Sequence, residues 1–321
     1  MRTVRFHRHG DPDVLVVEEV AVPTPGPGQV LLRTELVAGS FVDTSVRRGD
    51  GPFGPGPLPS SPHGEVVGTI EAVGEGVDDA WRGRRVAALV FAQAYADAVL
   101  ADAAACVRVP QDLPAADVSV LAMAAPVAMA ALSLGRFGPG DTVLVQAAAG
   151  SIGHLAVQLA RLLGASRVVG AVGSAAKLDV VRGLGADAVA LDGDWTDPVR
   201  ALVPGGVDVA LDSAGGQVTA DTLEVLAPFG RLVVYGAASG TLPSIPARPL
   251  LAGRSVTGFG IGTWAATHPA EAARHRAMIT GWLATGELRV LTSDVVPLAE
   301  APRAHALLED RARVGRVVVV P

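Results

Sequence analysis

The segment Val143-Leu-Val-Gln-Ala-Ala-Ala-Gly-Ser-Ile-Gly153 holds the strongest local signal in the chain. An apolar run leads into a turn of small residues, and a helical pattern follows over 152–163. Gly150 and Gly153 take the last two glycine positions of a G-x-G-x-x-G fingerprint, and Ala148 replaces the first. Small residues let backbone N–H groups approach a pyrophosphate, whose charge the start of a helix stabilises. The residues predicted to contact a dinucleotide here are Ala148, Gly150, Ser151, Ile152 and Gly153.

A regular alternation surrounds this segment and continues after it. Short, uniformly apolar strands alternate with helical patterns, which is typical of a buried parallel sheet with helices on both faces. We therefore predict a doubly wound α/β domain. Its strands are expected at 142–146, 167–171, 188–191, 207–212, 231–235 and 255–261, and its helices at 152–163, 175–184, 198–202 and 218–226.

The first third of the chain has a different pattern. Short apolar or alternating runs are divided by turns rich in proline and glycine, which predicts a compact, barrel-like β unit. Residues 50–62 are expected to form a surface loop, and 115–135 to form one long helix. The tail, with a helix near 271–285 and a strand at 315–320, is expected to pack on the β unit. The strands of that unit are predicted at 3–7, 15–20, 29–36, 66–73 and 85–90.

Composition excludes several classes of protein. The 321 residues are 50% hydrophobic and 18% charged, which is adequate for a large core and excludes disorder. The single cysteine, Cys106, excludes a disulfide scaffold and a four-cysteine zinc site. A net charge of −6 argues against a nucleic-acid partner. No signal peptide or membrane-spanning run is recognised, so the cytoplasm is the expected compartment.

The end of the second strand of the α/β domain bears on the choice of cofactor. NAD sites generally place an acidic residue there for the ribose hydroxyls, but this chain has Val172. Gly173 and Ser174 follow, and then Lys177, the only lysine in the chain. A hydroxyl and an ammonium group can hold a 2′-phosphate, so NADP(H) is favoured over NAD(H). A solvated helix position for Lys177 is the alternative.

The order of these features resembles the medium-chain dehydrogenase/reductase superfamily, in its zinc-independent quinone oxidoreductase branch. The likeness covers nearly the whole chain. It rests on a β unit, a dinucleotide sheet and a returning tail. The segments that carry it include Pro25-Gly-Pro-Gly-Gln-Val-Leu31, Gly64-Glu-Val-Val-Gly68, Val73-Gly-Glu-Gly-Val77, Leu211-Asp-Ser-Ala-Gly-Gly216 and Gly315-Arg-Val-Val-Val-Val-Pro321.

The resemblance implies a GroES-like β-rich catalytic domain at 1–117 and 264–321, and a Rossmann-type domain at 118–263. It implies NADP(H) as cofactor, with the nicotinamide end held by backbone near 235–237 and 258–261. An acid, Asp192, stands where the family has a tyrosine near the 2′-phosphate. The further cofactor residues expected on this basis are Gly173, Ser174, Lys177, Asp192, Ser213, Tyr235, Gly236, Phe259, Gly260 and Ile261.

Zinc ligands of the superfamily are replaced in this chain. Ser40 stands at the position of the cysteine ligand and Gly64 at that of the histidine ligand, while His63 is one residue out of register. Serine is a poor ligand for zinc. No metal site is therefore expected, and His63 is interpreted as a loop or cleft-lining residue or a proton donor.

The polar active-site positions of quinone reductases also differ. Ser40 and Ser45 stand where the family usually has asparagine and tyrosine, and Val127 and Met129 replace polar or aromatic residues. Asp43 and Arg47 are retained and could form a structural ion pair. Candidate proton or hydrogen-bond donors are Ser40, Ser45, His63 and Tyr95. An apolar cleft is expected to be lined by Phe41, Phe53, Phe91, Gln93, Met123, Val127 and Trp264.

The sequence is compatible with three functions. The first is an NADPH-dependent reductase of a small hydrophobic quinone or α,β-unsaturated carbonyl, since hydride transfer depends mainly on a well-held cofactor. The second is an enoyl reductase or specialised biosynthetic enzyme on the same fold. The third is a non-catalytic NADPH-binding protein. The apolar strand at 255–261 should lie at the sheet edge, which predicts a homodimer joined through it.

Overall fold

The computed structural model describes residues 1–50 and 54–321. Its strands are β1 Arg2–Arg5, β2 Val16–Glu19, β3 Gln29–Ala38, β4 Gly64–Val73, β5 Arg85–Val90, β6 Ala98–Asp102, β7 Val107–Arg108, β8 Thr142–Val145, β9 Arg167–Val172, β10 Asp187–Ala190, β11 Val207–Asp212, β12 Leu226–Val234, β13 Ser255–Gly258, β14 Thr292–Pro297 and β15 Arg316–Val320. Its α-helices are α1 Phe41–Arg48, α2 Ala115–Ser119, α3 Ala124–Leu134, α4 Gly153–Leu162, α5 Leu178–Gly183, α6 Thr196–Leu202, α7 Gly216–Glu224, α8 Ile261–Thr267, α9 Pro269–Thr285 and α10 Ala301–Glu309.

The chain divides into two compact units. One comprises Met1–Met123 and Ile279–Pro321, and the other comprises Ala124–Met278. Both boundaries lie later in the chain than the sequence placed them. The reason at the second boundary is α8, whose Trp264 packs with Ala130 and Ala272 inside the second unit. None of the helices in the described part of the chain is long and apolar enough to cross a membrane.

The first unit is β-rich, as expected. Its main sheet has the order β14-β15-β3-β4-β5-β7, with β6 pairing with β3, and β1 and β2 form a separate ladder. The buried faces of these strands meet in one hydrophobic cluster, which includes Phe6, Leu32, Ile70 and Val317. Burying one such side chain contributes roughly 1.5–3 kcal/mol. The returning tail supplies β14, β15 and α10 to this unit, as predicted. The predicted tail helix, α9, is the exception, because its residues up to Met278 belong to the second unit.

The second unit has the predicted doubly wound architecture. Six strands pair in parallel in the order β10-β9-β8-β11-β12-β13. The chain first builds outward from β8 to β10 and then returns to add β11, β12 and β13 on the other side. A crevice at the point where strand order reverses is where open parallel sheets bind ligands. In this sheet that point lies between β8 and β11.

The predictions for 115–135 and 255–261 were wrong in part. The predicted helix at 115–135 is two helices, α2 and α3, separated by a turn at 120–123. Pro126 explains the break, because proline lacks an amide hydrogen and its ring clashes with the carbonyl four residues earlier. The predicted strand at 255–261 ends at Gly258, and Ile261 instead begins α8.

Candidate functional site

The predicted cofactor residues all follow the carboxyl ends of the parallel strands. Because the six strands run in one direction, these ends lie at the same edge of the sheet. The phosphate turn follows β8 and the residues of the 2′-phosphate prediction follow β9 and β10. The structure thus brings to one edge Ala148, Gly150, Gly173, Ser174, Asp192, Ser213, Tyr235, Gly236, Phe259 and Gly260.

The turn after β8 is tight and anchored to the next strand. Ala147 has a φ of 50°, and the amide of Ala148 donates to the carbonyl of Ala171 at 2.9 Å. The amide of Gly150 closes the turn on the carbonyl of Ala147 at 2.8 Å. A Cβ on Gly153 would lie 2.8 Å from Ala148 Cα, and nearer still to the carbonyl oxygen of Ala147. Glycine is therefore required where the helix leaves the turn.

The start of α4 is suited to an anion. Ile152 precedes the helix and makes no side-chain capping hydrogen bond. The amides of a first helical turn have no partner within the helix, and the helix dipole places partial positive charge there. A pyrophosphate at this turn would accept from the backbone of Ser151, Ile152 and Gly153. The residues present therefore fit the phosphate groups of a dinucleotide.

The loop after β9 carries the expected 2′-phosphate residues. Ser174 caps a short 3-10 turn, Ala175–Lys177, and its hydroxyl accepts from the amide of Ala176 at 3.4 Å. A Cβ at Gly173 would meet no atom within 4 Å among the described residues, so space is open in front of it. Asp192 is exposed after β10, whose last residue pairs with Val172. An acid therefore follows the strand adjacent to the one that carries Ser174.

The loops after β11 and β12 are joined to each other. The buried carboxylate of Asp212 accepts from the amide of Ala214 at 2.7 Å and from the hydroxyl of Thr219. The amide of Ala238 donates to the carbonyl of Ser213 at 2.9 Å. Burial of the Tyr235 hydroxyl raises its pKa to about 12, so it stays protonated at neutral pH. These bonds fix the backbone that is predicted to hold the nicotinamide end.

In the β-rich unit, Ser40 and Asp43 form the cap of α1. The hydroxyl of Ser40 accepts from the amide of Val42 at 3.4 Å, and Asp43 Oδ2 accepts from the amide of Ser40 at 3.1 Å. This reciprocal pair is a capping box, so Ser40 has a structural task at the start of the helix. The predicted ion pair of Asp43 with Arg47 is wrong. Arg47 is bonded to Glu309 at 2.5 Å and to the carbonyl of Gly10 at 3.0 Å.

The partner of Asp43 is His63, a contact that the sequence analysis missed. Asp43 Oδ1 accepts from the amide of His63 at 3.0 Å and lies 3.2 Å from the ring Nδ1. The hydrogen bond to Asp43 raises the pKa of the half-buried His63 imidazole. The ring of Phe91 meets that of His63 edge-on, with centroids 6.2 Å apart. Phe91 is 71% exposed, so these two rings belong to an accessible part of the unit.

The remaining candidates of the β-rich unit have varied surroundings. Phe41, Ser45, Gln93 and Met123 are half-buried. The amide of Gln93 donates to the buried hydroxyl of Ser61 at 2.6 Å, and that of Met123 to Glu65 Oε2 at 3.0 Å. Ser45 Oγ accepts from Arg48 at 3.4 Å. The expectation for Phe53 concerns a position outside the described residues.

Tyr95 does not reach the surface. It is fully buried in the hydrophobic cluster of the β-rich unit, with its ring edge-on to that of His305 at 5.7 Å. Burial raises its pKa well above the usual value for a tyrosine. Burial, aided by the charge of Arg47, lowers the pKa of His305 to about 3. A side chain sealed in this core cannot contact a substrate, which corrects the interpretation of Tyr95 as a donor.

Two predicted cleft residues of the second unit are part of its interior. Trp264 is buried, and its ring is stacked with those of His268 and His275, at centroid distances of 5.5 and 5.4 Å. Val127 is 6% exposed within α3. Packing of the domain interior therefore accounts for both positions. Among the residues that the structure describes, no cluster of three or more histidine, cysteine or acidic side chains could hold a metal ion.

Comparison with known proteins adds two domain matches and full-length relatives. Residues 26–111 match the alcohol dehydrogenase GroES-like domain, and residues 151–275 match the zinc-binding dehydrogenase domain. A 2-haloacrylate reductase from a Burkholderia species is 34% identical, over 98% of this chain and 98% of its own length.

Solved structures align over the whole length. A mycobacterial protein complexed with NADPH superposes with a TM-score of 0.89 at 32% identity, covering 100% of both chains. Escherichia coli quinone oxidoreductase complexed with NADPH superposes with a TM-score of 0.89 at 26% identity, again covering 100% of both chains.

Proposed function

Because the chain belongs to the quinone oxidoreductase-like branch of the medium-chain dehydrogenase/reductase superfamily, we propose that it is an NADPH-dependent reductase. Its acceptor is a hydrophobic quinone or α,β-unsaturated carbonyl compound, and it works without a catalytic zinc. The proposal rests on the start of α4, which has no side-chain cap and follows a glycine turn. This turn lies where the order of the strands reverses. This arrangement suits a dinucleotide pyrophosphate.

Each part of the cofactor has a matching segment of the second unit. The pyrophosphate binds the backbone of 150–153, and Ser174 with Lys177 holds the 2′-phosphate. The segments at 235–236 and 259–261 hold the nicotinamide end. The amides of Tyr235 and Phe259 bond to the last residues of β11 and β12, which fixes the backbone of these segments. Bound NADPH supplies a hydride, and the chain contributes position and exclusion of water.

The absence of zinc from the proposed mechanism rests on donor chemistry. The hydroxyl of Ser40, at the family's cysteine position, is used to cap α1, and Gly64 offers no side chain at the histidine position. His63 Nδ1 faces Asp43. These residues do not assemble a ligand set of the kind that zinc requires.

The class of acceptor follows from the chemistry of hydride addition. A carbon–carbon double bond conjugated to a carbonyl, or a quinone ring, accepts hydride at carbon and passes negative charge to oxygen. The Burkholderia relative is named for a 2-haloacrylate, which is an α,β-unsaturated carboxylate. Turnover of a quinone and enone panel is the expected result. Failure of every acceptor despite tight NADPH binding would favour the enoyl reductase, specialised biosynthetic or non-catalytic alternatives.

Lys177→Ala tests the cofactor assignment. We expect NADPH affinity to fall about 10- to 100-fold, because a hydrogen bond to a charged group is worth roughly 1.5–3 kcal/mol. Affinity for NADH, which lacks the 2′-phosphate, should not change. Calorimetric titration with both nucleotides measures this difference. Arg182→Ala is the matched control, since Arg182 lies on α5 and pairs at the surface with Asp179. Equal losses for both nucleotides would contradict a 2′-phosphate role for Lys177.

We also propose a homodimer joined through the sheet edge. β13 is the last strand of the six-stranded sheet and pairs only with β12 among the described strands. Its free edge carries backbone donors and acceptors that a second copy could pair. Sedimentation at micromolar concentration should show a dimer. A monomer under those conditions would contradict this assembly.

A further inference from the structure

The His63–Asp43 pair stands apart from the other polar groups of the β-rich unit. One buried carboxylate holds both the backbone amide and the ring of the same histidine, at 3.0 and 3.2 Å. Asp43 is in turn fixed by the amide of Ser40 at the start of α1. Two attachments to one residue set both the position and the plane of the imidazole. With Nδ1 directed at Asp43, the second nitrogen, Nε2, has no hydrogen-bond partner among the described residues.

We propose that His63, oriented by Asp43, donates the proton that completes reduction of the acceptor. His63 is then a catalytic residue and Asp43 a positioning residue. This assignment rests on the proposed reductase function and names the donor that the reaction requires.

The other candidate donors are less suited. The hydroxyl of Ser40 caps α1, and that of Ser45 accepts from Arg48. Tyr95 is sealed in the core. His63 has a side chain that is 30% exposed and lies beside the accessible ring of Phe91. It therefore combines an accessible proton with a fixed orientation.

The charge around His63 favours the protonated form. The groups that face its ring are Asp43, from α1, and the uncharged ring of Phe91, which follows β5. The hydrogen bond to Asp43 raises the pKa of His63 and outweighs the opposing effect of partial burial. An imidazolium is therefore retained to higher pH than in a free histidine. A general acid is most effective when its pKa lies near the working pH.

The proton balance is simple. If bound NADPH supplied a hydride to the β-carbon of an enone, a new C–H bond would form there and the electrons of the double bond would move to the carbonyl oxygen as an enolate. The Nε2–H bond of His63 then breaks and its proton goes to the enolate. Neutral imidazole remains, hydrogen-bonded to Asp43, and takes a new proton from water. For a quinone, hydride addition at a ring carbon would likewise leave negative charge on oxygen, the same proton goes to that oxygen, and tautomerisation then gives the hydroquinone.

The chain offers a matched control in another histidine–carboxylate pair. His7 Nε2 lies 2.5 Å from Glu18 Oε1 in the same unit. The His7 side chain is 59% exposed and the pair is formed at the β1–β2 ladder. It is likewise a histidine–carboxylate pair, but among the described residues it has no aromatic neighbour like Phe91 and its carboxylate caps no helix. His7→Gln should leave turnover unchanged.

The test compares His63→Gln, Asp43→Asn and His7→Gln with 2-cyclohexen-1-one and 1,4-benzoquinone as acceptors and NADPH as donor. In the wild type, kcat should fall as pH rises through the pKa of His63. His63→Gln should lower kcat about 100-fold, within the usual range for loss of a general acid, and remove that pH limb. Asp43→Asn should shift the limb to lower pH. NMR titration of the histidine rings gives a readout independent of turnover: the His63 signal should titrate at lower pH in Asp43→Asn.

The possible results separate this inference from the proposed function. If His63→Gln retains the kcat and pH limb of the wild type, the donor assignment is wrong and the reductase function stands. If the wild type oxidises NADPH with neither acceptor nor any other quinone or enone, the donor assignment and the proposed reductase function are both wrong. Thermal melting of Asp43→Asn reports whether loss of the α1 cap unfolds the unit. If Asp43→Asn unfolds, the comparison of His63→Gln with the wild type and His7→Gln tests the donor assignment by itself.

Discussion

Gly153→Val is expected to weaken NADPH binding strongly and to destabilise the unit formed by Ala124–Met278. A side chain at this position would press on the backbone of the turn itself, 2.8 Å from both Ala147 C and Ala148 Cα. Backbone atoms cannot rotate away as a flexible side chain can, so the turn and α4 must separate. Overpacking of this kind costs roughly 1–3 kcal/mol even where side chains yield.

The effect on binding follows from the same displacement. The amides at the start of α4 must converge on the pyrophosphate, and a shift of the helix removes several of those hydrogen bonds at once. We expect affinity for NADPH to fall about a hundredfold or more, which corresponds to about 2.8 kcal/mol. Calorimetric titration measures the binding, and thermal unfolding measures the loss of stability.

Gly183→Ala is the matched control for Gly153→Val. Gly183 closes α5, and a Cβ there would meet no described atom within 4 Å. Alanine in a helix is favoured over glycine by roughly 0.5–1 kcal/mol, so stability should rise slightly and binding should not change. Retention of wild-type NADPH affinity by Gly153→Val would show that the turn is not the phosphate site.

The alternation in the sequence predicted the second unit well, for a physical reason. Parallel strands buried on both faces must be uniformly apolar, and their helices must follow at short intervals. Strand β11 was predicted at its observed bounds, Val207–Asp212, and the helix predicted at 152–163 corresponds to α4. The glycine turn could be predicted because its geometry permits only small residues, as the close backbone contacts at Gly153 show.

Other elements could not be found because their signals are not local. Strand β6, Ala98–Asp102, has only five residues, and it forms by pairing with β3 from a distant part of the chain. Strand β14 similarly depends on β15. Their apolar runs are too brief to be distinguished from loops by periodicity.

The candidate site shows the same limit. The pattern Ser40-x-x-Asp43 is a recognisable helix start, so the cap could have been predicted. Asp43 also bonds to His63, and Arg47 pairs with Glu309. Both contacts depend on how α1, the β4 region and α10 pack together, which the sequence around Asp43 does not show. Burial of Tyr95 and Trp264 likewise follows from packing, since neither residue type indicates its own exposure.

Arg316→Met is expected to destabilise the β-rich unit by about 3–5 kcal/mol, as is usual when one partner of a buried ion pair is removed. Arg316, in β15, is fully buried and donates to Glu65 Oε1 at 2.7 Å, and Glu65 lies in β4. The other oxygen of Glu65 accepts from the amide of Met123 at 3.0 Å. Without the guanidinium, a buried carboxylate loses its counter-charge. Urea titration of the unfolding transition measures the loss.

The double variant Glu65→Gln/Arg316→Met should recover much of this stability. Glutamine keeps an oxygen for Met123 and buries no charge, and Met fills the space of an arginine whose Nε and Nη1 lack partners among the described residues. Unsatisfied buried donors are destabilising. Replacing both partners of the pair should therefore reduce the free energy of unfolding less than removing one of them. Arg303→Met is the surface control, because its pair with Glu300 is exposed to solvent and such pairs contribute little to stability. If Arg316→Met were no more damaging than this control, the Glu65–Arg316 pair would not stabilise the attachment of β15 to the sheet, and the C-terminal strand would be held by backbone pairing with β3 and β14 and by apolar packing.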